Sequence, residues 1–123
     1  MLKKTINYTD HNGVERTKDC YFNLNEVELI EMETGVDGGL SEMLRGIIDS
    51  KDQGALIRFF KDLTLRSYGI KSTDGETFDK SDKIKHDFEC SAVYPVLFME
   101  LATDADAAAA FVNGIVPAKY SKN

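Results

Sequence analysis

The chain has 123 residues, 42% of them hydrophobic and 29% charged, with a formal net charge of −6. That length holds one core and not two, and the composition excludes disordered and collagen-like chains. The acidity is spread evenly along the chain and no Lys/Arg block interrupts it, so phosphate backbones are repelled and nucleic acid is not an expected partner.

No run approaches the roughly 18 apolar residues of a membrane-spanning helix, and the stretch from Met1 to Thr5 lacks a signal-peptide core. A cytoplasmic protein that keeps Cys20 and Cys90 reduced is therefore expected.

Residues 2 to 22 alternate around Asp10-His11-Asn12-Gly13, a strong hairpin signal. A two-residue Asn12-Gly13 loop would mix polar and apolar side chains on both faces. A three-residue loop with Gly13 left-handed at a bulge pairs Asp10 with Val14 and Leu2 with Phe22. This register collects Leu2, Ile6, Tyr8, Cys20 and Phe22 on one face and Thr5, Asn7, Thr9, Glu15, Thr17 and Asp19 on the other. A lone two-stranded ribbon is marginal in water, so it must lay its apolar face on helices, with both edges left open.

Helical signals follow. Asn25 is placed as an N-cap with Glu28 three residues on, and Leu24 with Leu29 form a hydrophobic staple, predicting a helix over 26–34 that stops at Gly35. Leu40, Met43, Leu44, Ile47 and Ile48 recur at amphipathic-helix spacing. Asp52 caps a third helix with Leu56, Phe59, Phe60 and Leu63 buried and Gly69 at its end. Residues 70–80 read as a polar loop turning at Asp74-Gly75. Ser81 caps a short helix carrying Ile84 and Phe88. Another begins at Ser91 and tolerates Pro95 in its first turn. Asp104 caps the last, which runs through four alanines to Gly114. The expected fold is α+β and mainly α: an N-terminal β-hairpin followed by five to six short helices in one domain over 1–116, with a polar tail over 117–123.

Few residues suggest chemistry. His86 and Cys90 are four apart on one helix and His11 and Cys20 lie in the hairpin, but this spacing is no zinc signature, and they read as surface histidine and packed thiols. Asp104 and Asp106 suit capping better than acid–base work. With no phosphate loop, nucleophile elbow or triad pattern, the chain reads as a non-enzyme without metal or cofactor.

The C-terminal third is apolar on more than one helical face, through Val96, Leu97, Phe98, Met99, Leu101, Phe111, Val112, Ile115 and Val116, while Ala107–Ala110 offer a smooth surface. Two readings stand side by side: a fully buried pair of helices, or a docking surface whose contacts are Leu97, Phe98, Leu101, Ala108, Phe111 and Ile115.

The segment Leu97-Phe98-Met99-Glu100-Leu101-Ala102-Thr103-Asp104-Ala105-Asp106-Ala107-Ala108-Ala109-Ala110-Phe111, continuing to Pro117, resembles the C-terminal region of small tail assembly chaperones of long-tailed bacteriophages. Asn12-Gly13-Val14-Glu15-Arg16, Tyr21-Phe22-Asn23-Leu24 and Gly39-Leu40-Ser41-Glu42-Met43 resemble the same family. The resemblance implies a non-enzymatic chaperone that oligomerises and coats the tape measure protein until tail-tube subunits polymerise, works in the host cytoplasm and is absent from the virion. It also implies a frameshifted longer form as a partner, and Ser121-Lys122-Asn123 is a string that a slippery adenine run could encode. The rival reading is a small acidic inhibitor or nucleic-acid mimic, which the even spread of charge disfavours.

Overall fold

The computed structural model describes residues 1–33 and 39–117. The hairpin β1 (Leu2–Thr9) and β2 (Glu15–Phe22) adopts the three-residue-loop register, with Leu2 opposite Phe22 and Thr9 opposite Glu15. At its tip Asp10 N–H donates to the Val14 carbonyl and Gly13 N–H to the Asp10 carbonyl, with Gly13 at φ +82°. That positive φ is why glycine stands there. Ile6, Cys20 and Phe22 are buried, whereas Thr5, Asn7, Thr9, Glu15, Thr17 and Asp19 are exposed. Across that outer face Thr5 and Thr17 donate to Asp19 and Asn7 at 2.7 Å.

Helix α1 (Glu26–Glu33) starts with a reciprocal capping box: Glu28 N–H donates to Asn25 Oδ1 at 2.9 Å and Asn25 N–H to Glu28 Oε1 at 3.0 Å. Leu24 and Leu29 of the staple are both buried. The expected stop at Gly35 lies outside the described residues. Helices α2 (Gly39–Ser50) and α3 (Gln53–Ser67) follow, the latter capped by Asp52, whose side chain accepts from Ala55 N–H at 3.0 Å. Leu44, Phe60 and Leu63 carry their buried faces.

The loop expected over 70–80 needs correction. Its first residues belong to β3 (Tyr68–Lys71), which turns at Gly75 and returns as β4 (Phe78–Asp79). Because β3 also pairs with β2 at Tyr21–Gly69 and Phe22–Tyr68, the ribbon becomes a four-stranded antiparallel sheet in the order β1-β2-β3-β4. Gly69 is not a helix stop but a point of close approach. A Cβ there would meet the Phe78 ring at 2.8 Å and the Asp79 carbonyl oxygen at 2.9 Å.

Helices α4 (Asp82–Glu89), α5 (Val93–Thr103) and α6 (Ala105–Ile115) complete the fold, capped by Ser81 before α4 and Asp104 before α6. They cover the inner face of the sheet, α4 against β3 and α5 and α6 against β1. Phe22 sits at the centre, 5.2–5.9 Å from the rings of Phe111, Tyr68 and Phe88, and Tyr68 stacks on Phe88 at 3.9 Å. The fold is therefore α+β and mainly α, with a hairpin at its start.

Lys80 joins three elements at one point. Its Nζ donates to Glu28 Oε1 and Oε2 at 2.7 and 2.8 Å, to the Asn23 carbonyl at 2.6 Å and to the Arg66 carbonyl at 3.1 Å. One ammonium thus closes the start of α1, the end of β2 and the last turn of α3, its three N–H donors shared among four acceptor oxygens.

Candidate contact surface

The six side chains read as contacts fall mainly inside the molecule. Leu97, Leu101, Ala108, Phe111 and Ile115 are buried and Phe98 is partly buried, its ring 5.9 Å from Tyr94. The physical reason is the sheet above them. A four-stranded sheet has enough inner face to accept α5 and α6, and Leu24 N–H donates to the Ile115 carbonyl at 2.7 Å, closing α6 against the strand end. Of the two readings the helices admitted, their inward side chains follow the buried one. Phe98 alone of the six keeps part of its side chain at the surface.

The same helices leave other apolar groups outside. On α5, Val96 is 41% exposed and Met99 56%. They lie on the side of the helix away from Tyr94 and Phe98, near Glu100, which forms an ion pair with Lys4 of β1. On α1, Val27 is 66% and Ile30 61% exposed. The sequence carried an unread signal for the α1 pair: Leu29 and Met32 occupy the inner face of α1, and Val27 and Ile30 fall outside it. Between α1, α2 and α3 a shallow groove has Met32, Met43 and Phe59 on its floor and Glu31, Asp62 and Arg66 at its rim. Methionine floors adapt to varied apolar partners.

The sheet edges also differ from expectation. Asp10 N–H points toward β2, so by alternation the amides of Lys3, Thr5, Asn7 and Thr9 point the other way. Among the described residues no strand pairs with that side of β1. The outer edge of β2, by contrast, is partly closed where Tyr21 and Phe22 meet β3, leaving its Glu15–Asp19 portion unpaired by a strand. Among the described residues the β1 edge is thus open along its length and the β2 edge in part.

Electrostatics at the surface are local. Burial alone would raise the Glu28 carboxyl, but the hydrogen bonds from Lys80 and from Asn25 N–H outweigh it and hold the carboxyl below its ordinary value. Lys80 itself is lowered by burial, against the pull of Glu28. Burial pushes the Cys20 thiol and the Tyr68 phenol up, which makes Cys20 an inert core thiol. Cys90, expected to be packed, is exposed instead, because it caps the end of α4 rather than lying within it. None of the helices among the described residues is long and apolar enough to cross a membrane.

The sequence pattern of the phage tail assembly chaperones matches residues 1–123, the entire chain, and the protein belongs to that family. No curated protein and no solved structure matches it significantly.

Proposed function

We propose that this phage tail assembly chaperone acts without catalysis, self-associates, and holds the tape measure protein in solution until tail-tube subunits polymerise around it. Membership of the family supports the chaperone role, and the observation that carries the finer reading is the exposed Val96–Met99 pair on α5, the helix that packs against β1. A helix whose inner face is already satisfied by Leu97 and Leu101 has no internal use for these two side chains. They suit the apolar face of a partner helix. The acidic surface keeps such a complex soluble. The work is done in the host cytoplasm, and the chaperone leaves before the virion is complete. A longer frameshifted form shares this chain and carries a client-binding extension, while the short form supplies the oligomer-building copies.

Co-expression with the tape measure protein tests the reading. The wild-type chain keeps the client in the soluble fraction, and Val96→Asp with Met99→Asp, both surface changes, sends it to the pellet while circular dichroism retains the helical signal. A folded double variant that still holds the client removes α5 from the contact. The longer form is checked by mass spectrometry of infected cells, where a single short product excludes it.

A further inference from the structure

Strand β2 changes character along its outer edge. At its end the edge is covered: Asn23 N–H donates to the Ser67 carbonyl at 2.8 Å, and Tyr21 stands opposite Gly69 of β3. Main-chain groups alternate in direction along a strand, so those of Asp19, Thr17 and Glu15 point to the same side as those of Tyr21 and Asn23. Beyond Gly69, however, β3 no longer pairs with β2 and runs on against β4 alone, through Ile70 and Lys71. Between the diverging strands lies a cleft of about 320 Å³, with Lys18, Asp19 and Tyr21 on one wall and Ile70, Lys71 and Thr73 on the other.

This cleft is basic in a chain whose net charge is −6. Lys71 holds its Nζ 5.7 Å from the centre of the Tyr21 ring, Lys3 stands opposite Tyr21 on β1, and Lys18 lines the wall. All three lysines are exposed, and none of them forms an ion pair among the described residues. The carboxylate in the cleft, Asp19, already accepts the Thr5 hydroxyl at 2.7 Å. Ile70, 53% exposed, adds an apolar contact.

A second copy of the chain does not suit this edge. Antiparallel pairing of Glu15–Asp19 with itself about Thr17 sets Glu15 against Asp19 and Arg16 against Lys18, and centring on Arg16 or Lys18 sets a cation against its own copy. Like charges directly opposite one another are destabilising, so each of these registers is disfavoured. A strand that brings carboxylates is instead drawn to the lysines and meets an edge that no strand occupies among the described residues.

We propose that the cleft between β2 and β3 is a docking site for an extended acidic segment of a partner protein, which adds to β2 as a strand and sets its carboxylates against Lys18 and Lys71. The main chain of Thr17 and Asp19 holds the segment, Ile70 takes one of its apolar side chains, and the lysines select its charge. The site uses no residue of α5, so it goes beyond the client contact proposed above and stands or falls separately from it.

The probe is a capped, fluorescently labelled peptide of glutamate and valine in equal number, titrated with the purified full chain and read by anisotropy. Expected is saturable binding of one peptide per chain that weakens as salt is raised, and none by the counterpart with lysine for glutamate. Lys18→Glu with Lys71→Glu should weaken binding by about tenfold or more, while the same change of net charge at Lys51 and Arg58 leaves it nearly intact. A probe N-methylated at alternate residues keeps its carboxylates and loses its amide donors, and should bind at least about tenfold more weakly. That arm separates strand addition from plain ion exchange. The substituted side chains are all exposed, and circular dichroism verifies that the variants fold. Absence of binding, equal loss in the Lys51 and Arg58 variant, full binding of the N-methylated probe, or tighter binding of single-stranded RNA at the same lysines overturns the proposal.

Discussion

Thr64 Oγ1 is fully buried and has no hydrogen-bond partner among the described residues. A hydroxyl in that position costs about 1–3 kcal/mol, so Thr64→Val, which keeps the shape and removes the unpaired group, should stabilise the chain by about 1 kcal/mol. A thermal melt reads this as a higher Tm, and a lower one means that the hydroxyl finds a partner in solution. Gly69 and Gly114 differ in what surrounds them. At Gly69 a methyl group meets the Asp79 backbone at 2.9 Å, which cannot step aside, and Gly69→Ala should cost about 2 kcal/mol or more by overpacking. At Gly114 the neighbour is the tip of Leu2 at 3.0 Å, a flexible side chain, and alanine regains up to about 1 kcal/mol of helix propensity. Gly114→Ala should thus stay within about 1 kcal/mol of wild type in urea unfolding. Sequence alone treats both glycines as chain punctuation, because what each backbone approaches is set by residues far away.

The Glu28–Lys80 pair couples the junction of α1, β2 and α3 to pH. The folded-state value of Glu28 lies below its unfolded value, so its contribution is present above the usual glutamate range near ~4.3 and is lost as pH falls through the lower folded value. Lys80 works in the alkaline range and in the unusual sense: burial lowers its folded value, so its contribution grows as pH rises through that value. Glu28→Gln should lower the urea midpoint at pH 7, because Lys80 loses its counter-charge, and should flatten the acid limb of the stability curve. Parallel acid limbs in the variant and the wild type would show that other carboxylates control acid unfolding. The C-terminal helices allow a sharper contrast. Phe111 touches Phe22 at 5.2 Å in the core, and Phe111→Ala should cost about 3–5 kcal/mol. Phe111→Asp should leave no folded chain, as seen in the loss of the helical signal. The hydrophobic crowding at this end was legible in the sequence. Which side chains turn inward was not, since α5 has apolar residues on several faces and only its neighbours choose among them.

At the scale of the molecule, the open side of β1 is a row of amides that no strand pairs among the described residues and that a second chain can complete. Thr5 belongs to that row, so proline there removes an outward N–H and no bond to β2. Light scattering at about 100 μM should find the wild type above monomer mass and Thr5→Pro shifted toward monomer, with its helical signal intact. A wild-type monomer rules out self-association at that concentration. An unchanged oligomer in a folded Thr5→Pro variant moves the interface to another surface.

Local signals carried much of this protein. The hairpin register followed from the parity of Leu2, Ile6, Cys20 and Phe22 about Gly13. The caps at Asn25, Asp52, Ser81 and Asp104 each place a side-chain acceptor near free amides at a helix start. These depend on residues a few positions apart, and the resemblance of the C-terminal segment added the family. The third and fourth strands, the partial closing of the β2 edge and the Lys80 junction came only with the tertiary structure. Each joins segments distant in the chain, and short stretches such as Tyr68–Lys71 and Phe78–Asp79 have too little periodicity to declare themselves as strands. Tyr68–Lys71 becomes a strand because β2 offers it an edge, Phe78–Asp79 because β3 does, and Phe22, Tyr68 and Phe88 gain a common core.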